Sequence, residues 1–259
     1  MIAREQNNTI EKGIVGLHMS ETGQQLLHEW NLPIQEAIAL QHQLAKQIIL
    51  QDHVGEVKHV AGVDMAINEE SEMARAAVVL LSYPALEIVE KHVYEEPVRM
   101  PYVPGLLSFR EAPSVLGAFG KLRQQPDLVM VDGQGIAHPR RIGIASHLGL
   151  WLQLPTIGCA KSILTGHYNQ AELKEEAGSW VPLVDKQEII GAVVRTRTRV
   201  SPMIISPGHL ISLETSIRYV LACSKGYRLP EPTRQADKLS KDNAWVEPGE
   251  DKQQLTLWD

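Results

Sequence analysis

A short apolar run, residues 126–131, leads directly into Asp132 and a glycine-rich segment that also carries His138, Arg140 and Arg141. An apolar run of this length is typical of a buried strand, so Asp132 is predicted to lie at a strand's carboxyl end. Open α/β sheets bind their ligands at that end. A carboxylate beside cations and flexible glycines favours a metal ion and a phosphodiester. The structural alternative is that Asp132 is a turn residue or a helix cap.

The apolar pattern around this segment predicts a mixed sheet. Three strand candidates, residues 57–67, 76–83 and 86–94, are joined by short connections, which is typical of an antiparallel meander. Helices and strands then alternate, as in a sheet with parallel strands flanked by helices, so the expected fold class is α/β. Helices are predicted near 32–51, 114–122, 140–152 and 212–225, and further strands at 126–131, 155–159, 188–194 and 201–205.

The length and composition indicate one main domain. The 259 residues, of which 44% are apolar, are enough for a sizeable core. We predict an N-terminal extension at 1–30, a main domain at 31–235 and a flexible tail at 236–259. Compact structure is expected to be lost beyond Tyr227, where Pro, Lys, Glu and Asp become frequent.

Charge and cysteine content narrow the class of protein. The 25 Lys and Arg against 31 Asp and Glu give a net charge of −6, which argues against a uniformly basic surface but leaves a local basic groove open. Cys159 and Cys223 offer neither a metal-ligand cluster nor a disulfide framework, as is usual in a reducing compartment. No apolar stretch approaches the roughly 20 residues that cross a bilayer. We expect a cytoplasmic monomer without membrane contact.

Two acidic residues stand out as candidates for chemistry. Asp64 lies in a mostly apolar strand candidate, where a carboxylate needs a hydrogen-bond partner or a cation. A structural salt bridge is as good an explanation as a metal, but beside Asp132 the pair would make a hard-oxygen site for Mg²⁺ or Mn²⁺. Glu111 follows Ser108 at the spacing of a capping box. Pro113 weakens that interpretation, because proline favours the first helical position and would place Glu111 before the helix.

Lys161 and His209 complete the set of candidates. Lys161 follows a predicted strand at the same sheet end as Asp132, where an ammonium group can neutralise charge on a phosphoryl group. A solvated surface lysine is the alternative. His209 comes just before a predicted helix, where it can also be a capping or packing residue.

In type and order these residues resemble the endonuclease V family, which nicks DNA near deaminated purines. The resemblance runs from about residue 32 to residue 237. It rests on six motifs in the family's order: 60–67 with Asp64, 101–113 with Glu111, 132–149, 158–166 with Lys161, 206–209 and 226–234. It implies a ribonuclease H-like fold, a mixed sheet of three antiparallel and further parallel strands flanked by helices, with 31–235 as the catalytic domain.

The resemblance also implies roles for the five catalytic candidates. Asp64 and Asp132 would bind Mg²⁺ directly, with Mn²⁺ as the alternative metal. Glu111 and His209 would complete the metal site directly or through water. Lys161 would stabilise the transition state.

A DNA wedge and a base pocket are further implications of the resemblance. Two prolines stiffen the wedge loop, and Tyr102 offers a flat face to fill the gap that an extruded base leaves. The alternative is a buried aromatic residue between turn prolines. The wedge is Pro101, Tyr102, Val103 and Pro104, the base pocket is Gly105, Leu107, Gly133, Gly143 and Ile144, and the expected phosphate contacts are His138, Arg140 and Arg141.

The implied activity is metal-dependent hydrolysis of the second phosphodiester bond 3′ to deoxyinosine in damaged DNA, leaving 3′-hydroxyl and 5′-phosphate ends. Two alternatives stay open. One is cleavage at inosine in RNA, because recognition of the 2′-hydroxyl depends on local geometry. The other is a non-catalytic lesion-binding protein, against which the presence of all five catalytic candidates argues.

Two other segments invite predictions. Three arginines alternate with threonines after a strand candidate, so in a strand they would share one face, to bind phosphates or equally to solubilise an edge. An apolar triplet in the polar tail resembles the peptides that dock bacterial repair proteins on the sliding clamp, and folding back on the domain is the alternative. The residues are Arg195, Arg197 and Arg199, and Gln254, Leu255, Leu257 and Trp258.

Overall fold

In the computed structural model, which describes residues 28–68 and 70–242, eight strands form one mixed sheet. The strands lie in the order β3-β2-β1-β4-β5-β8-β7-β6. They are β1 (His59–Asn68), β2 (Met73–Ser82), β3 (Ile88–Pro97), β4 (Leu128–Val131), β5 (Thr156–Ala160), β6 (Trp180–Asp185), β7 (Glu188–Val194) and β8 (Met203–His209).

The pairing confirms the predicted antiparallel meander of β1, β2 and β3. β4 then lies parallel to β1, and β5 lies parallel to β4. β8 runs antiparallel to β5, and β7 and β6 continue the sheet in antiparallel pairs. The centre of the sheet is therefore β1-β4-β5, three parallel strands whose carboxyl ends share one edge.

Helices cover both faces of the sheet. α2 (Leu107–Phe119) and α3 (Ile144–Leu152) pack on one face, and α4 (Leu213–Ala222) and α5 (Glu231–Ser240) pack on the other. Side chains alternate between the two faces along a strand, and both faces of β4 are covered by helices. Every residue of β4 is therefore buried, which explains its continuous apolar run. α1 (Ile34–Leu44) lies outside α2 and α3. Within the described ranges, no helix combines the length and apolar character that a membrane span requires.

Several predicted boundaries need correction. α2 begins at Leu107, not near 114, and contains Pro113, because its apolar face packs into the core regardless of the missing N–H. α3 begins at Ile144, since residues 140–143 belong to a loop in which Gly143 N–H donates to Gly135 C=O (2.8 Å). β6 was not predicted. It contains Pro182 and lies at the sheet edge, where proline is tolerated.

The expectation that compact structure is lost beyond Tyr227 is wrong. α5 runs to Ser240, across the boundary predicted at 235, and buries Ala236 and Leu239 against the sheet. Its first turn approaches β1 so closely that a β-carbon at Gly62 would lie 1.9 Å from the Pro232 carbonyl oxygen. Glycine at this position is what lets α5 lie directly on β1.

The arginine-rich segment after β7 is not a strand. β7 ends at Val194, and Arg199 has a φ of 59°, in the left-handed region. Arg195 donates to the Val200 carbonyl (2.6 Å), and Arg199 pairs with Glu175 (3.2 Å). The chain turns here, so the three arginines do not form the predicted strand face.

Candidate active site

The parallel centre of the sheet brings Asp64, Asp132 and Lys161 to one edge. Val63 pairs with Val131, and Asp132 N–H donates to the Val63 carbonyl (2.9 Å), so the two acids lie side by side. Along β4, β5 and β1, residues two positions apart share a face. Asp64, Asp132 and Lys161 each lie two positions after a strand residue that faces α4 and α5. Their side chains therefore lie on that same face of the sheet.

Asp237 on α5 completes an acidic cluster. It lies one position after the buried Ala236, on a helix that packs against this face of the sheet. One ligand oxygen from each of Asp64, Asp132 and Asp237 lies within 4.8 Å of the others. The sequence prediction had not included Asp237, because it treated this segment as the start of a flexible tail.

Lys161 joins two members of the acidic cluster. Its Nζ donates to an oxygen of Asp132 and to Oδ1 of Asp237 (2.9 Å). Burial, which lowers the pKa of Lys161, is outweighed by these hydrogen bonds, so its pKa rises above the usual value. The ammonium group is therefore fixed and charged at the centre of the site, as expected of a residue that neutralises phosphoryl charge.

The carboxyl groups of Asp64 and Glu111 resist ionisation. Burial raises the pKa of Asp64 to about 7, against a hydrogen bond from Ser240 and with support from the charge of Asp132. Burial, together with the charges of Asp64 and Asp132, raises the pKa of Glu111 to about 8. Glu111 is close enough to Asp64 and Asp132 for their charges to add to the rise in its pKa, and a cation bound among these carboxylates would favour their ionised forms.

Glu111 reaches the site from inside α2, so both predictions about its local role are wrong. It does not precede the helix, and Ser108 does not cap it. The helix instead begins after Leu106, which makes no side-chain capping bond. The Ser108 hydroxyl hydrogen-bonds with Nδ1 of the buried His147 (2.9 Å).

His209 lies at the opposite end of the strands from the acidic cluster, which corrects its assignment to the metal site. It pairs with Thr156 at the start of β5, whereas Lys161 follows the end of that strand. At about 3.3 Å per residue the two ends of β5 are about 13 Å apart. His209 is buried, and its Nδ1 accepts a hydrogen bond from Ile49 N–H (3.3 Å). It is a packing residue here.

The predicted base-pocket residues converge on the loop between β4 and α3. A β-carbon at Gly133 would lie 2.5 Å from Ile144, so these two are in direct contact. Gly143 N–H donates to Gly135 in the same loop. Gly105 is tied to this loop, because its carbonyl accepts hydrogen bonds from His138 Nε2 (3.1 Å) and Arg140 Nη2 (2.7 Å). Leu107 is half-buried at the start of α2.

His138 does not contact phosphate in this arrangement, contrary to the prediction. It is 3% exposed, and burial together with the charge of Arg140 lowers its pKa to about 4. A neutral, enclosed imidazole that hydrogen-bonds Gly105 holds the loop rather than an anion.

The two arginines of the same loop have partners within the protein. Arg140 donates to Gly105, and Arg141 donates to Asp185 (2.8 Å) and Glu188 (2.7 Å). Their contact with phosphate stays a prediction.

The proline loop presents its aromatic residue to solvent. Tyr102 is 64% exposed, and Pro101 and Pro104 on either side of it are also exposed. The alternative of a buried aromatic residue between turn prolines is therefore wrong. Tyr102 also lines a cavity of about 400 Å³ with Arg99 and Arg110.

Comparison with known proteins identifies the family. The family model described as Endonuclease V matches residues 42–238. The chain belongs to the endonuclease V family. Endonuclease V of Gloeobacter violaceus is 54% identical over 216 residues, which cover 83% of this chain and 87% of that protein. That of Trichormus variabilis is 53% identical over 216 residues, 83% of this chain and 97% of that protein.

Solved structures of the endonuclease V family share the fold. The Streptomyces avermitilis enzyme aligns with a TM-score of 0.77 at 40% identity, over 82% of this chain and 92% of that one. A Ciona intestinalis endonuclease V, in complex with a 24mer DNA containing an inosine followed by a ribo-adenosine, aligns with a TM-score of 0.70 at 30% identity, over 80% of this chain and 95% of that one. The fold is ribonuclease H-like, and the chain is a nuclease.

The acidic cluster of this endonuclease V family member fits a divalent cation. Three carboxylates converge within 4.8 Å, and oxygen donors of this kind suit Mg²⁺ and Mn²⁺. Burial and the neighbouring carboxylates disfavour the ionised forms of Asp64 and Glu111, and a bound cation would favour them. Asp64, Asp132 and Asp237 would hold the cation, with Glu111 beside them.

A sequence signal for Asp237 did exist. Pro232 near the start of α5 is typical of a helix N-terminus, and Ala236 and Leu239 follow with helical spacing. That pattern predicts a helix whose apolar face needs a sheet to cover. It does not predict which end of the sheet Asp237 reaches.

Proposed function

We propose that this endonuclease V family member is a metal-dependent DNA repair endonuclease that recognises deoxyinosine. It hydrolyses the second phosphodiester bond 3′ to the lesion and leaves 3′-hydroxyl and 5′-phosphate ends. The observation that carries the proposal is the convergence of Asp64, Asp132 and Asp237 with Lys161 at one sheet edge. The inosine-containing DNA bound to the Ciona intestinalis relative supports the choice of substrate.

The residues of the cluster divide the chemistry between them. When bound, a divalent cation would supply the positive charge that activates the attacking water and stabilises the leaving 3′ oxygen. A bound cation would offset the neighbouring negative charges that help to raise the pKa of Glu111, so that Glu111 would be ionised and would accept the proton of that water. Lys161, held by Asp132 and Asp237, faces the same site and neutralises charge that develops on the phosphoryl oxygens.

The exposed proline loop recognises the lesion. Tyr102 has no protein layer over most of its surface, so it can enter the duplex and fill the space of a base that has rotated out. The rotated base is bound by the loop that holds Gly133 and Ile144. This division explains why the proline loop carries an exposed aromatic residue.

A cleavage assay tests the proposal. The purified protein and its Asp132→Ala variant are incubated with matched duplexes that contain one deoxyinosine or none, with Mg²⁺ or with chelator. We expect a nick one nucleotide beyond the lesion that needs both Mg²⁺ and Asp132. A nick that persists in the variant contradicts the assigned chemistry, and tight lesion binding without a nick indicates a sensor protein.

Inosine in RNA is the second candidate substrate. The DNA in the Ciona intestinalis complex carries a ribo-adenosine after the inosine, so that relative binds a substrate with a ribose at the neighbouring position. The same assay with inosine-containing RNA, and with a deoxyinosine duplex that has one ribonucleotide 3′ to the lesion, separates the two. Faster cleavage of the RNA than of the DNA would favour the ribonuclease.

A further inference from the structure

Tyr227 lies between α4 and α5, in a segment that is held to the end of the sheet that carries the acidic cluster. The next residue, Arg228, donates to the carbonyl oxygens of Lys161 (2.6 Å) and Pro202 (2.9 Å). Both carbonyls are at the end of the sheet that carries the cluster, because Lys161 follows the end of β5 and Pro202 precedes β8. Arg228 therefore ties the segment before α5, which includes Tyr227, to the backbone of Lys161.

The ring of Tyr227 is held in place on one face. The Arg234 guanidinium lies over it, 4.3 Å from the ring centroid. Arg234 is itself fixed by two hydrogen bonds to Glu231 (2.7 and 2.8 Å), which is 7% exposed. The guanidinium thus links Tyr227 to the first turn of α5, the helix that carries Asp237.

The rest of the ring is open to solvent. Tyr227 is 50% exposed, and Ile163 and Leu164, on the loop that follows Lys161, are 39% and 49% exposed. A cation that covers one ring face restricts the ring but leaves its other face available. An aromatic ring that is fixed in this way and still half exposed is ready to bind a second flat group.

We propose that Tyr227 is a stacking platform for one unpaired nucleobase of the substrate strand, on the side of the site where Arg228 holds Lys161. The platform rests on the proposed function. The link from this segment to Lys161 through Arg228 selects this occupant, because a strand whose phosphate lies at Lys161 carries a neighbouring base towards the Tyr227 ring. Stacking needs no base-specific hydrogen bond, so the platform would act at any sequence around the lesion.

Abasic scanning tests the platform. Single-stranded oligonucleotides with one deoxyinosine, each with one neighbouring base replaced by an abasic residue, are bound to the protein in chelator and followed by fluorescence anisotropy. We expect Tyr227→Ala to raise the Kd for the intact oligonucleotide about tenfold, the effect of one lost stacking contact. For the oligonucleotide that lacks the stacked base, the variant and wild type should bind equally.

Two control variants sharpen the test. Tyr227→Phe keeps the ring and should bind as the wild type does. Ile88→Ala removes an equally exposed apolar side chain (48%) from β3, at the other end of the sheet, and should have no effect.

The possible failures can be told apart. If wild type nicks deoxyinosine DNA while Tyr227→Ala binds every oligonucleotide normally, the platform is refuted and the proposed function stands. An equal loss on every abasic oligonucleotide also refutes it, because the ring would then act on the protein's structure alone. Wild-type protein that neither binds nor nicks these substrates overturns both proposals.

Discussion

Replacing Asp64 with asparagine should stabilise the metal-free protein, with an effect that grows with pH. Burial, opposed by the Ser240 hydrogen bond and supported by the charge of Asp132, raises the pKa of Asp64 from 3.8 to about 7. The folded protein holds this proton more tightly than the unfolded chain, so the stabilisation is complete below about pH 4 and is lost as the pH rises through about 7. At about 1.4 kcal/mol per pKa unit, the ionised carboxylate costs about 4 kcal/mol at pH 8.

Thermal unfolding in chelator, from about pH 5 to about pH 8, measures this cost. A difference of 1 kcal/mol corresponds to about 2–4 °C in the melting temperature of a domain of this size, so Asp64→Asn should exceed wild type by roughly 10 °C at pH 8. Added Mg²⁺ should stabilise wild type and leave the variant unchanged, because binding to the folded state alone stabilises it. A difference between the two proteins that does not change with pH would refute the electrostatic explanation.

The other predictions concern the assignment of single residues. Asp237→Asn should abolish nicking and weaken Mg²⁺ binding in calorimetry, whereas His209→Ala should preserve both; equal losses would contradict the placement of these residues. Lys161→Met should lower kcat yet tighten Mg²⁺ binding, since the cation no longer competes with the ammonium group for carboxylates, and weaker binding would contradict this. Arg228→Met should lower kcat in wild type but not further in Lys161→Met, because it acts through the lysine; additive losses in this double-mutant cycle would show an independent role. Deleting residues 253–259, which lie outside the described residues, should abolish binding to a sliding clamp in surface plasmon resonance and spare nicking, and unchanged affinity would remove that hypothesis.

The sheet was predictable where local sequence decides the structure. β4 is apolar on both faces, and the meander of β1, β2 and β3 has short connections, so both features can be recognised without tertiary information. The start of α2 was not predictable in this way. Pro113 indicated a helix start, but the packing of Phe109 and Ala112 extends the helix ahead of the proline. Tertiary burial outweighs the local preference there.

The sequence was sufficient to predict three residues of the candidate site, the two acids at strand ends and the lysine. Asp64, Asp132 and Lys161 lie two positions after strand residues that share a face, so strand periodicity and a parallel arrangement are sufficient to bring them together. Glu111 and Asp237 depend on helices that approach from opposite faces. Their positions follow from how closely each helix packs, and for α5 this is decided by a single glycine on β1.

His209 and Asp237 show why strand direction limits such predictions. His209 ends one of the six motifs, and Asp237 lies three residues after the last of them. A residue at the carboxyl end of a strand lies at the end of the sheet with the acidic cluster only if that strand runs parallel to β4 and β5. β8 runs antiparallel to β5, so its carboxyl end, with His209, lies at the wrong edge, while its amino end lies beside Lys161. The third acid, Asp237, comes instead from α5, the second of the two helices that follow β8 and pack on this face.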